Sequence, residues 1–450
     1  MSRTIYENAR ILVGDGQVIE HGSLVIEHTQ KDFIPPANGE TPVKIAPSVT
    51  DKIVYLGEAD GYTEGADETI DVQGNTLMPG LIDADTRLDT LPSGADDYVD
   101  NIGIAYRTLI SYRSAAEALN AGVTTLRAVG MPNNIDIALK NAIAKTMFFG
   151  PSILATGPIY AVTAGKGHER YGLIEASGTD ALRAQMRIHL SRGLDGVTLQ
   201  VNGDRLETLG GEYQKEMSDA ELCALVKHAH GAEKPVAVNA SGDPSVRSAL
   251  QAGADCIQQG YRIGDELLKE MAEKGVCYVP CLVSTLGTEI EEEHFDVVRR
   301  AYRAGVRLAV GTELLPSEPV GGTTAIIREL ELFVEAGMTP VEAIAAATSE
   351  AADVVRSGRR ALKEGGKPDF LVVAGKPDQD ISCMREILAV VKDGRRAFHR
   401  IGGAKERLFH IHAPLYEVAG GTTFDWTKGA LQGVREPENY NITWNLIKEI

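Results

Sequence analysis

Cysteine is scarce and unpatterned in this 450-residue chain: Cys223, Cys256, Cys277, Cys281 and Cys383, with no Cys-x-x-Cys pair. Such spacing excludes a disulfide framework and a zinc knot. Basic residues are also in deficit, 45 Lys and Arg against 63 Asp and Glu, for a formal net charge of −18. Nucleic-acid binding needs a cationic face, so that class of partner is excluded. No run approaches the roughly 20 apolar residues of a membrane span. The opening Met1-Ser2-Arg3-Thr4-Ile5-Tyr6-Glu7 leads into a strand pattern rather than a signal-peptide core. The expectation is a cytoplasmic protein with reduced thiols and neither a membrane nor a nucleic-acid partner.

What is present is an alternation of short apolar strands with helix-length amphipathic segments from Thr76 onward. The strands expected are 76–85, 123–129, 152–159, 196–201, 235–240, 255–259, 277–283 and 307–311. Eight strands separated by helices fit an α/β class and a closed (β/α)8 barrel of TIM type. Leu119-Asn120-Ala121-Gly122-Val123, Leu250-Gln251-Ala252-Gly253-Ala254 and Tyr302-Arg303-Ala304-Gly305-Val306 share one junction, a helix ending on glycine before a strand. Gly275 repeats it. Glycine there takes the left-handed cap that other residues resist.

The flanks read as strands too. The expected organisation is a small β-sandwich whose first part is 1–75, a barrel over 76–361, the second part of the sandwich over 362–403, and a tail over 404–450. The tail carries Phe424, Trp426, Tyr440 and Trp444, a composition suited to packing on the barrel or on a partner subunit of a homo-oligomer.

Three stretches carry a resemblance: Met78-Pro79-Gly80-Leu81-Ile82-Asp83-Ala84, Ala121-Gly122-Val123-Thr124-Thr125-Leu126-Arg127, and Gly366-Lys367-Pro368-Asp369-Phe370-Leu371-Val372-Val373. Together they are similar to the amidohydrolase superfamily, in its imidazolonepropionase- and prolidase-like branch, over about residues 5–400. That resemblance implies a metal centre at the carboxyl ends of strands 1, 4, 5, 6 and 8. Residue by residue, its first-strand histidines match Asp85 and Arg87, its carboxylated lysine Thr198, its fifth-strand histidine Asn239, its sixth-strand histidine Gln259, and its eighth-strand aspartate Glu313. Amides and hydroxyls are poor ligands for zinc, so no cofactor and no catalytic metal is expected.

The replacements suggest other chemistry. Asp85 and Arg87, two apart on one strand, share a face. Arginine can hold a carboxylate bidentately or stabilise an oxyanion. Glu313 retains a carboxylate, and His168 in Thr163-Ala164-Gly165-Lys166-Gly167-His168 stands on a glycine-rich loop suited to gating. The candidate catalytic set is therefore Asp85, Arg87, His168 and Glu313. Candidate substrate-binding residues are Arg127, Lys166, Thr198, Gln200, Asn239, Gln259, Tyr261 and Arg262; Arg127 and Arg262 are expected at the barrel mouth beside Arg87. His410-Ile411-His412 and His228-Ala229-His230 are read as structural, and Cys281 as core packing.

The function expected is a metal-independent enzyme acting by acid–base chemistry on a small polar, anionic metabolite: isomerisation, elimination, decarboxylation, cyclisation or hydrolysis. Two alternatives stand beside it, an inactive binding or scaffolding descendant and a metallohydrolase with unusual ligands.

Overall fold

A computed structural model describes residues 2–29, 51–89, 103–165, 172–202, 214–401, 424–425 and 430–431. The expected tail lies almost wholly outside the described residues, as do Lys166 and His168. Its described portion is a pair of two-residue strands, Phe424–Asp425 against Ala430–Leu431.

In chain order the first strands are β1 (Ser2–Leu12), β2 (Val18–His28), β3 (Lys52–Glu58), β4 (Glu68–Asp71) and β5 (Thr76–Pro79). There follow β6 (Leu81–Thr86), β7 (Val123–Ala128), β8 (Ser152–Ala155), β9 (Ile159–Ala161) and β10 (Leu173–Glu175). After them come β11 (Val197–Gln200), β12 (Val236–Asn239), β13 (Cys256–Gln258) and β14 (Cys277–Val279). The last are a two-residue hairpin, β15 (Pro319–Val320) with β16 (Thr323–Thr324), then β17 (Phe370–Val373), β18 (Ile387–Lys392) and β19 (Arg395–His399).

The two flanks hydrogen-bond into one eight-stranded sheet ordered β19-β18-β17-β5-β1-β2-β3, with β4 beside β1. Alternating apolar residues of both flanks bury against each other. Tyr6 and Phe370, from opposite ends of the chain, meet edge to face at 4.9 Å, over a core that includes Ile11, Leu24, Ile53 and Val391.

One expected strand divides. Thr76–Pro79 pairs with β17 and β1 in the flank sheet, whereas Leu81–Thr86 pairs with β7 in the barrel. Gly80 is the crossing point. Its N–H donates to the Asp369 carbonyl at 3.1 Å, and a Cβ there would fall 2.2 Å from the Thr124 hydroxyl, so only glycine lets the two sheets approach.

The remaining strands run parallel, in the orders β6-β7-β8 and β10-β9-β11-β12-β13-β14. Helices follow, among them Ile104–Asn120, Asp219–Gly231, Asp243–Ala252, Asp265–Lys274 and Glu291–Arg303. Strand three is interrupted at Gly157-Pro158, since proline has no N–H for the ladder; Asp195 N donates to Ala155 O at 2.7 Å across to the next strand. Segment 307–310 joins both edges: Ala309 N donates to Tyr278 O at 3.0 Å, and Ala84 N to Val310 O at 2.9 Å. This is a TIM-barrel-like α/β fold. The four glycine junctions hold, with φ of 95° at Gly122, 86° at Gly253, 68° at Gly275 and 78° at Gly305.

Candidate active site

The first strand delivers three polar groups on one face, because alternate residues of a strand point the same way. Asp83 lies deepest. Its Oδ1 accepts the backbone N–H of Asp85 at 3.0 Å and of Thr312 at 3.2 Å, and its Oδ2 lies 2.7 Å from the Thr312 hydroxyl. Burial pushes its carboxyl up to about 7, against the lowering effect of those bonds.

Asp85 comes next, buried. Gln258 Nε2 donates to its Oδ2, and the Cys281 thiol approaches the same oxygen at 3.7 Å. Burial first, and the Glu313 carboxylate second, push Asp85 up to about 7; Arg127 and Arg87 oppose the shift. The Asp85 carbonyl accepts from Thr312 N at 3.0 Å and Glu313 N at 2.7 Å, which ties the first strand to the eighth. Gly311 makes that contact possible. A Cβ there would sit 2.6 Å from Val279 Cγ1 and 2.8 Å from Asp85 Cβ. Gly311→Ala is expected to cost about 1–3 kcal/mol, as overpacking does, and to displace Asp85; an unchanged urea midpoint would refute that.

Glu313 stands nearer the open end. It accepts Gln259 Nε2 at 2.8 Å and the Ser284 hydroxyl at 3.3 Å, and its Oε1 lies 3.5 Å from Arg87 Nη2. The Arg87 side chain is 34% exposed and that of Glu313 18%, so this pair meets solvent while Asp85 does not. Gln259, Cys281 and Glu313 have φ of 63°, 59° and 56°. Three consecutive strand ends thus turn through the left-handed region on non-glycine residues, strain that clusters at functional sites.

Other elements hold this geometry. The Glu329 carboxyl, buried on helix Ala325–Glu335, accepts Leu282 N at 2.9 Å and Val283 N at 2.7 Å and so anchors the turn bearing Cys281 and Ser284. Burial raises it to about 8. His294 bridges the Thr285 hydroxyl and the Gln259 carbonyl at 3.0 and 2.9 Å; burial lowers it to about 3, keeping it neutral.

A second polar chain crosses the neighbouring strands. Gln200 Nε2 donates to the Asn202 carbonyl, Asn239 Nδ2 donates to Gln200 Oε1 at 3.1 Å, and Asn202 Oδ1 accepts Ser241 N at 2.8 Å. The Ser241 hydroxyl then accepts Tyr261 N at 3.0 Å, and the Tyr261 ring meets His294 edge to face at 5.0 Å. Thr198 is fully buried one layer below Gln200.

Two arginines are placed otherwise than expected. Arg127 is buried inside the barrel rather than at the mouth: its Nε donates to the Ala84 carbonyl and its Nη1 reaches the Cys256 sulfur at 3.8 Å. Arg262 pairs with Glu293 at 2.5 Å and lines a separate surface cavity of about 840 Å³ with Lys215, Asp265 and Arg300, apart from Arg87. Sequence reasoning passed over Asp83, Ser284, Glu329 and His294, and took Cys281 for packing. Asp83 was findable, since it stands two residues before Asp85. Glu329 was not, because nothing local marks a glutamate as buried.

Polar groups gathered at the carboxyl ends of barrel strands are the layout of a barrel enzyme. The amidohydrolase family model matches residues 76–397, and the chain belongs to that family. Ochratoxinase of Aspergillus niger is 27% identical over 412 residues, covering 79% of this chain and 82% of that protein. Among solved structures, a Xaa-Pro dipeptidase with bound methionine in its active site superposes with a TM-score of 0.73 at 23% identity, over 88% of this chain and 99% of that one. A putative prolidase from Bifidobacterium longum gives 0.70 at 23%, over 88% and 94%. At such identities the structures speak for the fold alone.

Proposed function

We propose that this protein is a metal-independent amidohydrolase-family enzyme acting by acid–base chemistry on a small, carboxylate-bearing polar metabolite. The observation that carries this is the direction of the hydrogen bonds. Where the family places metal ligands, Gln258 turns an N–H toward Asp85, Gln259 turns one toward Glu313, and the Arg87 guanidinium lies beside Glu313. A divalent cation on these carboxylates would face amide hydrogens and a fixed positive charge, so the donor set does not suit one. Among the described residues no group of three His, Cys, Asp or Glu is placed to hold a metal ion.

In this reading Arg87 takes the substrate carboxylate or a developing oxyanion, as a planar fork does well. Asp85, raised to about 7 by burial and by Glu313, exchanges a proton near neutral pH, where acid–base groups work best. Glu313, joined to Gln259 and Ser284, is the second proton acceptor, and His168 and Lys166 are assigned on sequence grounds. Isomerisation, elimination, decarboxylation, cyclisation and hydrolysis all need only such groups. Membership of the amidohydrolase family, and the likeness to ochratoxinase, favour hydrolysis among these.

A thermal-shift screen of carboxylate metabolites tests this, run on chelator-treated and zinc-loaded protein and on Arg87→Met. Stabilisation that is independent of zinc and absent from Arg87→Met is expected. Losing one partner of such a contact costs about 2–5 kcal/mol, or roughly thirtyfold or more in affinity. Ligand response or turnover appearing only with zinc would overturn the proposal.

A further inference from the structure

Three buried oxygens at the barrel centre have no hydrogen-bond partner among the described residues: Thr198 Oγ1, Asn239 Oδ1 and Gln258 Oε1. They belong to three neighbouring strands. Asn239 is in register with Gln258 on one side and Gln200 on the other, and Thr198, two residues before Gln200, shares its face. Relative exposures of 0%, 3% and 0% put all three inside the protein.

The orientation of both amides follows from their neighbours. Gln258 gives its Nε2 to Asp85, the orientation that the ionised carboxylate requires, and its oxygen then faces elsewhere. Gln200 gives its Nε2 to a backbone carbonyl, that of Asn202, which leaves its Oε1 to receive Asn239 Nδ2 at 3.1 Å. Asn239 therefore presents Oδ1 to the interior. The backbone carbonyl of Asn202 thus sets the Asn239 acceptor and the ionised Asp85 that of Gln258, on neighbouring strands in register. A buried acceptor without a donor costs about 1–3 kcal/mol, and natural proteins keep such groups where something else will bind them.

We infer that this centre receives the cationic, N–H-bearing head of the ligand, an ammonium or amidinium, in a compound whose carboxylate is held by Arg87. The inference rests on the reading of Arg87 given above and adds a second recognised group: the ligand is dipolar, an amino-carboxylate. The orphan oxygens are sealed from solvent, whereas the Arg87–Glu313 pair at 3.5 Å meets it. Entry is an exchange of partners. The ligand carboxylate takes Arg87, and its N–H groups donate to the Thr198, Asn239 and Gln258 oxygens. Because the ligand's charges cancel, the buried centre keeps its charge balance, which a lone anion or lone cation would upset.

The test is calorimetric titration with a panel of amino acids, dipeptides and ω-amino acids, their N-acetyl forms, and the parent amines without carboxylate. Wild type, Thr198→Val and Arg87→Met are compared. At least one dipolar compound is expected to bind, with affinity at least tenfold weaker on N-acetylation and lost in Arg87→Met. Thr198→Val is isosteric and removes an unpartnered hydroxyl, so it should weaken that ligand about fivefold or more while its Tm stays at or above wild type. A merely structural threonine would instead lower Tm and leave affinity alone, and that result overturns the inference. If carboxylates bind through Arg87 with or without an amine, the earlier reading stands and this one falls. No binding by any dipolar member also overturns it.

Discussion

Asp369→Ala is expected to destabilise the protein by about 3–5 kcal/mol, the range found when one partner of a buried ion pair is removed. Asp369 sits at the seam between the flank sheet and the barrel. The Arg359 guanidinium donates to its Oδ2, Lys392 Nζ donates to its Oδ1 at 3.3 Å, and the Asp393 N–H reaches the same oxygen at 2.7 Å. Lys392 is fully buried, and burial holds its amine below the ordinary lysine range against the pull of Asp369 and Asp393. Arg359 also donates to Thr125 on β7 at 3.2 Å, so one carboxylate gathers groups from both bodies of the fold. Without it Lys392 keeps only Asp393 as counter-charge, and Arg359 loses its carboxylate. Urea titration measures the change directly. Asp180→Ala, at a fully exposed carboxylate lying 3.7 Å from Arg183, serves as the contrast and should change little, as exposed pairs do. A loss at Asp369 no greater than at Asp180 would mean that the buried network contributes nothing net.

Asp369 also shows how far the sequence could be read. The Gly366-to-Val373 run was read as the return into the small domain, and Phe370–Val373 pairs with Thr76–Pro79 in the flank sheet. Periodicity placed the starts of the second to seventh barrel strands to within a residue, because buried strands are short apolar runs bounded by glycine caps, but ran the third and seventh four residues past their observed ends at Ala155 and Val279. It could not show that Thr76–Asp85 divides at Gly80, since both halves are apolar and only three-dimensional crowding by Thr124 reveals the crossing. In the site, Asp85, Glu313 and Gln259 do come together, as strand-end positions in one barrel should. Arg127 was assigned to the mouth because it ends a strand, yet its guanidinium turns inward to Ala84 and Cys256. A strand pattern gives the side of the sheet but not the depth along the barrel. The left-handed turns at Gln259, Cys281 and Glu313 left no trace in sequence, because they fall on residues that do not advertise them. Cys281 was judged by its lack of a histidine, when the group actually near it is a carboxylate.

Between about pH 4 and pH 7 the folded state is expected to lose stability as pH rises, and Asp83→Asn should remove a large part of that slope. The Asp83 carboxyl, raised by burial to about 7 from 3.8, remains protonated in the folded chain over a range where the unfolded chain has already ionised. The native state then binds more protons than the unfolded state, so raising pH favours unfolding. The window opens near 3.8 and closes near 7. Each unit of displacement is worth about 1.4 kcal/mol, so one such group contributes a few kcal/mol across it. The geometry agrees with a neutral acid. The Thr312 hydroxyl lies 2.7 Å from Asp83 Oδ2 and 3.0 Å from the Leu314 carbonyl and has a single proton to give. If Asp83 donates to Thr312, Thr312 can donate to Leu314 and every group is matched. An asparagine reproduces this pattern, with Nδ2 donating to the hydroxyl and Oδ1 still accepting the N–H groups of Asp85 and Thr312. Asp83→Asn should therefore fold, match wild type below about pH 4, and exceed it in denaturant midpoint above pH 7. Glu329, raised to about 8, and Asp136, raised to about 6, leave a residual slope in both proteins. Equal slopes in the two would show that Asp83 is ionised in the folded state, and the Thr312 hydroxyl would then be its donor.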